Sequence, residues 1–240
     1  MSAAAIWHDV ECHAYVEDLP LWRELAAQAG GPVLDVGAGT GRVTLDLARR
    51  GHEVVALDVD ADLLDALRER GRDVAVETVV ADARDFDLGR DDFALILVPM
   101  QTLQLLGGAD GRAAFLRAAH RHLRAGGLLA AAIADPLDGF DDEHDLPPRP
   151  DLREIDGTVF CSQVVAVRDE GDQVAIERIR QTVDLQGAMT AEPNVIALDR
   201  VDAATVALEA AELGFGAQPA RHVAMTEDYV GSEVVLLWRR

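Results

Sequence analysis

Hydrophobic positions fall in a regular alternation over the first half of the chain. Leu21, Trp22, Leu25 and Ala29 recur at helical spacing until Gly30-Gly31-Pro32 stops them. An apolar run at 32–36 then leads into a glycine turn, a helix over 41–50, a run at 53–57 and a helix over 61–70. Runs at 74–80 and 93–98, a helix over 112–124 and a run at 127–133 continue the rhythm. Stripes such as Leu63, Leu64, Leu67 and Phe115, Leu116, Ala119, Leu123 give those helices one face for a sheet. Strand, helix, strand repeated in this order predicts right-handed crossovers and a parallel sheet.

The texture changes at Pro136. Residues 136–150 are rich in Asp, Glu, Gly and Pro and read as a surface loop or lid, with Asp138, Asp141, Asp142, Glu143 and Asp145 as a solvated charge run. Residues 158–168 and 173–183 then alternate as strands do around Arg168-Asp169-Glu170-Gly171-Asp172, which predicts an antiparallel hairpin, with 194–200 as a third strand. A helix over 203–213 ends at Gly214, and strands near 218–225 and 233–239 close the sheet. The expected organisation is a single domain: a helical cap over 1–31, a ligand-binding core over 32–135, a loop and antiparallel elaboration over 136–200, and the last helix and closing strands over 201–240. The expected fold is an α/β, Rossmann-like, seven-stranded, mostly parallel sheet with helices on both faces and an antiparallel elaboration after the fifth strand.

Composition narrows the partners. The 240 residues carry a formal net charge of −21, and every one of the 22 basic residues is Arg. No lysine stripe or basic patch is available to meet a phosphate backbone, so nucleic acid is not an expected substrate. No charged-then-apolar leader opens the chain and its longest apolar runs are too short to span a bilayer, so a cytoplasmic, membrane-free protein is expected. Cys12 and Cys161 lack metal-ligand spacing and read as reduced, incidental thiols.

The chemistry concentrates in Val33-Leu34-Asp35-Val36-Gly37-Ala38-Gly39-Thr40-Gly41-Arg42, a buried strand running into glycines and a helix. Glycines are needed where the backbone turns sharply and a ligand approaches too closely for a Cβ. Asp58 follows Gly37 by twenty-one residues, at the tip of the second strand, placed to accept from two ribose hydroxyls. Loop, helix and distal acid predict a nucleoside site. The G-x-G-x-G spacing puts Arg42 where a dinucleotide fingerprint has its third glycine, which disfavours NAD, and no triphosphate-cradling G-x-x-x-x-G-K-[ST] is present.

These residues resemble the class I (Rossmann-like) S-adenosylmethionine-dependent methyltransferases, and within them bacterial small-molecule enzymes. The resemblance covers Leu19 to Asp135 closely and the rest more loosely. It implies that Asp35, Gly37, Ala38, Gly39 and Gly41 surround the methionine part of S-adenosyl-L-methionine, and that Asp58 grips the ribose with Val59 beside it. Leu63 resembles the apolar residue against adenine, and Asp82, followed by Ala83, the acceptor for the adenine amino group, although a turn former fits Asp82 too. Val98-Pro99-Met100-Gln101 resembles the segment beneath the reacting methyl, and His122 to Gly127 the turn into strand five. Asp60, just before a helix, reads as its N-cap.

In-line displacement on a sulfonium methyl asks for alignment and exclusion of water, and in principle for no metal. Relatives often place a His just after strand four, whereas Met100-Gln101-Thr102-Leu103-Gln104-Leu105 has none. The N-terminal stretch Trp7 to Tyr15, which folds over the cofactor in similar enzymes, offers Tyr15 for the methionine carboxylate and His13 for the acceptor, with Gln101 as a second candidate to orient it. A frayed terminus is the competing reading for His13. The expected reaction is methyl transfer to a nitrogen or oxygen of a small-molecule acceptor, leaving S-adenosyl-L-homocysteine. A non-catalytic S-adenosylmethionine-binding module and a nicotinamide-dependent oxidoreductase remain alternatives, and a homodimer contact through Cys161 and the hairpin stays open.

Overall fold

The computed structural model describes residues 1–139 and 149–240. The carboxylates at 141, 142, 143 and 145 lie outside the described residues. Two helices open the chain. The first, α1 (Ala3–Cys12), starts where the Ser2 hydroxyl accepts from the Ala5 amide at 3.2 Å; the second, α2 (Leu19–Ala29), carries Pro20 in its first turn and ends on a left-handed Gly30. Seven strands form the main sheet: β1 (Val33–Val36), β2 (Val54–Asp58), β3 (Val76–Val80), β4 (Phe93–Val98), β5 (Leu123–Ile133), β10 (Phe215–Val223) and β11 (Ser232–Arg239). Their spatial order is β10-β11-β5-β4-β1-β2-β3, parallel except for β11, which runs against both its neighbours. This is the expected mostly parallel sheet.

Helices α3 (Arg42–Arg49), α4 (Ala61–Arg70), α5 (Gly108–His122) and α6 (Ala203–Ala211) connect the strands. Every residue of β1, β2 and β4 is buried, as apolar strands covered on both faces must be. Helix α5 begins at Gly108 and stops at His122 because Leu123 is already extended, so β5 starts four residues before the predicted run. Chain order reverses between β1 and β4, which opens a crevice at the carboxyl ends of those strands.

The elaboration is a second, wholly antiparallel sheet: β6 (Asp151–Ile155), β7 (Thr158–Asp169), β8 (Gln173–Val183) and β9 (Met189–Asp199), in that order. The third strand is longer than the sequence pattern suggests. Strand β6 is absent from that pattern because its five residues follow a proline-rich stretch and are mostly charged. It pairs through a tight turn at Asp156-Gly157, both with positive φ, as a two-residue hairpin of this hand requires. A bulge in β7 between Val164 and Ala166 turns both Val164 and Val167 toward the crevice.

Candidate active site

The loop between β1 and α3 is held from below. The amides of Gly37 and Ala38 donate to the Leu57 carbonyl at 2.8 and 3.1 Å, and the Gly39 amide donates to one carboxylate oxygen of Asp58 at 2.8 Å. The other Asp58 oxygen accepts from the Asp60 amide at 2.9 Å. Each carboxylate oxygen has a second lone pair, so Asp58 keeps acceptor capacity for two further donors. Asp60 caps α4, accepting from the amides of Asp62 and Leu63.

The glycines are required by contacts as well as by φ. A Cβ at Gly37 would lie 2.6 Å from the Thr102 side chain, and one at Gly39 would lie 2.2 Å from the His8 imidazole. Gly41 (φ +94) lets α3 start against α4, since a Cβ there would meet Leu67 at 2.7 Å. Close helix packing is thus served by Gly41, with Arg42 turned to another use. Its guanidinium pairs with both oxygens of buried Asp18 at 2.5 and 2.7 Å, donates to the Tyr15 carbonyl and lies 5.2 Å from the Tyr15 ring centre.

Helix α1 closes the crevice because its polar residues bind both sides of it. The Asp9 carboxylate accepts from Thr40 at 2.7 Å and from Arg70 on the main body, and pairs with Arg153 of β6 at 3.0 Å. Glu11 accepts from Arg180 of β8 at 2.8 and 2.9 Å and from Ser162 of β7 at 2.8 Å. Trp7 packs edge-on against Phe160. Beneath α1 lies a cavity of about 650 Å³, walled by the glycine loop, the segment after β4, one face of the antiparallel sheet and residues 225–230.

Several predicted residues converge on this cavity. Tyr15, Asp35, Gly37, Ala38, Leu63 and Gln101 line it. Asp35 is fully enclosed; one oxygen accepts from Thr44 at 2.6 Å and the other has no partner among the described residues, and burial pushes its carboxyl up to about 6. The Tyr15 hydroxyl is likewise buried without a hydrogen bond of good geometry, although Ser232 lies beside it. After Pro99, Met100 adopts φ +54, a costly conformation for a side chain other than glycine, at the floor of the cavity. Asp58 sits just behind His8, whose ring rests on Gly39 and meets Thr40 at 3.3 Å.

Other predicted residues lie elsewhere. His13 caps the exposed end of α1 outside the cavity, and the imidazole that lines it is His8, with its basicity lowered by burial. Asp82 forms a turn: it accepts from the Arg84 amide at 2.8 Å and grips the Arg84 guanidinium, so its carboxylate is engaged away from the cavity, and Ala83 packs toward the core. Val59 is 71% exposed at the tip of β2, and Val98 is fully buried in the core. The cavity residues that sequence reasoning missed are His8, Glu11, Asp151, Arg178, Arg180 and Tyr229. A signal for two of them existed: Ile176, Arg178 and Arg180 alternate along β8 and therefore share one face.

Residues 33–127 match the methyltransferase domain family, which covers the glycine loop through the turn into β5. Among curated proteins, the cypemycin N-terminal methyltransferase of a Streptomyces species is 35% identical over 109 residues, 45% of this chain and 44% of that protein. The magnesium-protoporphyrin O-methyltransferase of Rhodobacter capsulatus is 38% identical over 74 residues, 28% of this chain and 32% of its own length. The match thus spans less than half the length of these curated relatives. Solved structures align over the whole chain. A sugar N-methyltransferase from Streptoalloteichus superposes with a TM-score of 0.76 at 20% identity, covering 100% of this chain and 93% of that one. An amino pentose methyltransferase from Micromonospora echinaspora, solved with S-adenosylmethionine, gives 0.73 at 19%, covering 100% and 98%. The shared fold is the Rossmann-like methyltransferase fold.

Proposed function

We propose that this chain, whose residues 33–127 are a methyltransferase domain of the S-adenosylmethionine-dependent kind, transfers a methyl group to a basic nitrogen of a small-molecule acceptor. The observation that carries the reading is the glycine loop at the switch point, whose Gly39 amide donates to Asp58 and whose Gly37 and Ala38 line the cavity under α1. Asp58 has acceptor capacity for the two ribose hydroxyls, and Leu63 offers an apolar surface for the adenine. The Asp35 oxygen that lacks a partner among the described residues and the buried Tyr15 hydroxyl, with Ser232 beside it, fit the ammonium and carboxylate of the methionine part.

S-adenosylmethionine, when bound, supplies an activated sulfonium methyl. A neutral acceptor nitrogen presented in line behind that methyl would take it with its lone pair, the sulfur–methyl electron pair would stay on sulfur, and the methylated nitrogen would shed a proton. The chain's task is alignment and exclusion of water. Gln101 and Met100, at the end of β4, are suited to border the transfer path, and α1, held by Asp9 and Glu11, covers it.

A nitrogen acceptor is favoured by charge. The cavity wall carries seven carboxylates and four arginines, and each arginine is already paired: Arg42 with Asp18, Arg149 with Asp228, Arg178 with Asp151 and Arg180 with Glu11. Each of those arginines already has a carboxylate counter-charge, so the wall offers an acceptor's phosphate or carboxylate no unpaired cation, whereas a cationic amine meets an anionic lining. The sugar N-methyltransferase and the amino pentose methyltransferase of the same fold add an amino sugar as the first acceptor to try. The test is transfer of labelled methyl to a panel of amino sugars, simple amines, phenols and carboxylic acids. Label in amines supports the reading; label in phenols alone, or in none, contradicts it.

A further inference from the structure

The antiparallel sheet and the segment after β10 form a wall of the cavity that the cofactor reading leaves without a role. Asp151 opens β6 there, and among the described residues its carboxylate accepts a single hydrogen bond, from the terminal nitrogen of Arg178 at 3.2 Å. The Nε of Arg178 is buried and has no partner among the described residues, which is costly for a cationic donor. Opposite stand Tyr229 and Tyr15, with ring centres 5.1 Å apart and planes tilted by 58°. Tyr229 lies near enough to Asp151 that the carboxylate, after burial, is the main influence raising its phenol.

An anion, an aromatic face and an unsatisfied donor in one corner select a particular ligand. An ammonium satisfies the anion and the ring together, through a charge-assisted hydrogen bond and a cation–π contact. An oxygen next to it would satisfy Nε of Arg178. We infer that Asp151 and Tyr229 receive the acceptor's basic nitrogen as an ammonium, which passes one proton to the Asp151 carboxylate and so frees the lone pair that attacks, while Arg178 donates from Nε to a neighbouring oxygen, so that the acceptor is an amino alcohol or amino sugar. This rests on the reading of the chain as a methyltransferase acting on nitrogen. A neutral or anionic group in the same corner would leave Asp151 without a counter-charge beyond the one Arg178 contact.

The test uses the full chain loaded with S-adenosylhomocysteine and two near-isosteric probes, 2-amino-1-phenylethanol and 1-phenylethane-1,2-diol, which differ by an ammonium against a hydroxyl. Calorimetry should give the amine at least a ten-fold tighter affinity than the diol. Asp151→Asn should reduce that preference to less than two-fold with S-adenosylhomocysteine affinity unchanged. Tyr229→Leu should weaken the amine about five-fold, and Tyr229→Phe, which keeps the ring, should restore it; this pair decides the matter if the Asp151 variant does not fold. Equal affinity for the two probes, or a preference that survives both Asp151→Asn and Tyr229→Leu, overturns the subsite. Failure of the wild type to bind S-adenosylhomocysteine at all would instead overturn the underlying reading.

Discussion

Asp35 lies at the meeting point of fold and chemistry, enclosed under the glycine loop with one oxygen bonded to Thr44 and the other without a partner among the described residues. Burial raises its carboxyl to about 6, so the folded state favours the protonated acid and loses stability as pH rises from the ordinary carboxylate range through that value. A cofactor ammonium beside that second oxygen reverses the preference. Affinity for S-adenosylhomocysteine should therefore strengthen as pH climbs through about 6, and Asp35→Asn should flatten the dependence; calorimetry at pH 5, 6 and 7.5 checks this. The two N-terminal histidines differ in the same concrete way. His8→Ala should lower turnover by roughly ten-fold, as for a group in the reacting cavity, whereas His13→Ala should leave it within about two-fold, measured on the same acceptor. The position of Asp58 at the end of β2 and the capping role of Asp60 were legible in the sequence, because the distance from the glycines places the one and the start of the α4 stripe places the other. His8 and His13 were not distinguishable, since five residues on one helix point to different faces and only the partners of α1 decide which face is inward.

Helix α1 is held to its neighbours by charge. Asp9, whose side chain is fully buried, joins Thr40, Arg70 and Arg153 and so ties the main sheet to the antiparallel one. Its carboxyl is held below the ordinary range: burial opposes ionisation, but hydrogen bonds from Arg70 and Thr40 outweigh it. The stabilisation is therefore present above the unfolded-state value and is lost as pH falls through the depressed folded one. Asp9→Ala should cost about 2–3 kcal/mol, less than a wholly buried pair because both arginines reach solvent, read as a shift in the denaturation midpoint. Hydrogen exchange should show the α1 amides losing protection first. At this scale the alternating β and α elements of residues 32–133 were readable from periodicity, because strands buried on both faces and single-striped helices leave strong patterns. Strand β6 and the length of β9 were not, because edge strands with one wet face alternate weakly, β6 is mostly charged and β9 carries Pro193 near its middle.

The molecule as a whole is two sheets with a cavity between them, one carrying the glycine-loop cradle of the matched region and the other a wall outside that match. The first explains why the sequence resemblance and the match over residues 33–127 agree. The second explains why that wall was opaque in the sequence: Asp151, Arg178 and Tyr229 come from three separate segments, and nothing in their spacing along the chain signals that they meet. Dependence of the whole account on the cradle makes its test simple. Titration of the protein with S-adenosylhomocysteine should give saturable one-to-one binding, and Asp58→Ala, which removes the acceptor proposed for two ribose hydroxyls, should weaken it by at least about thirty-fold, or roughly 2 kcal/mol, without a matching loss of fold. Undiminished affinity in the Asp58 variant, or no binding by the wild type beside tight binding of NADH, would contradict it.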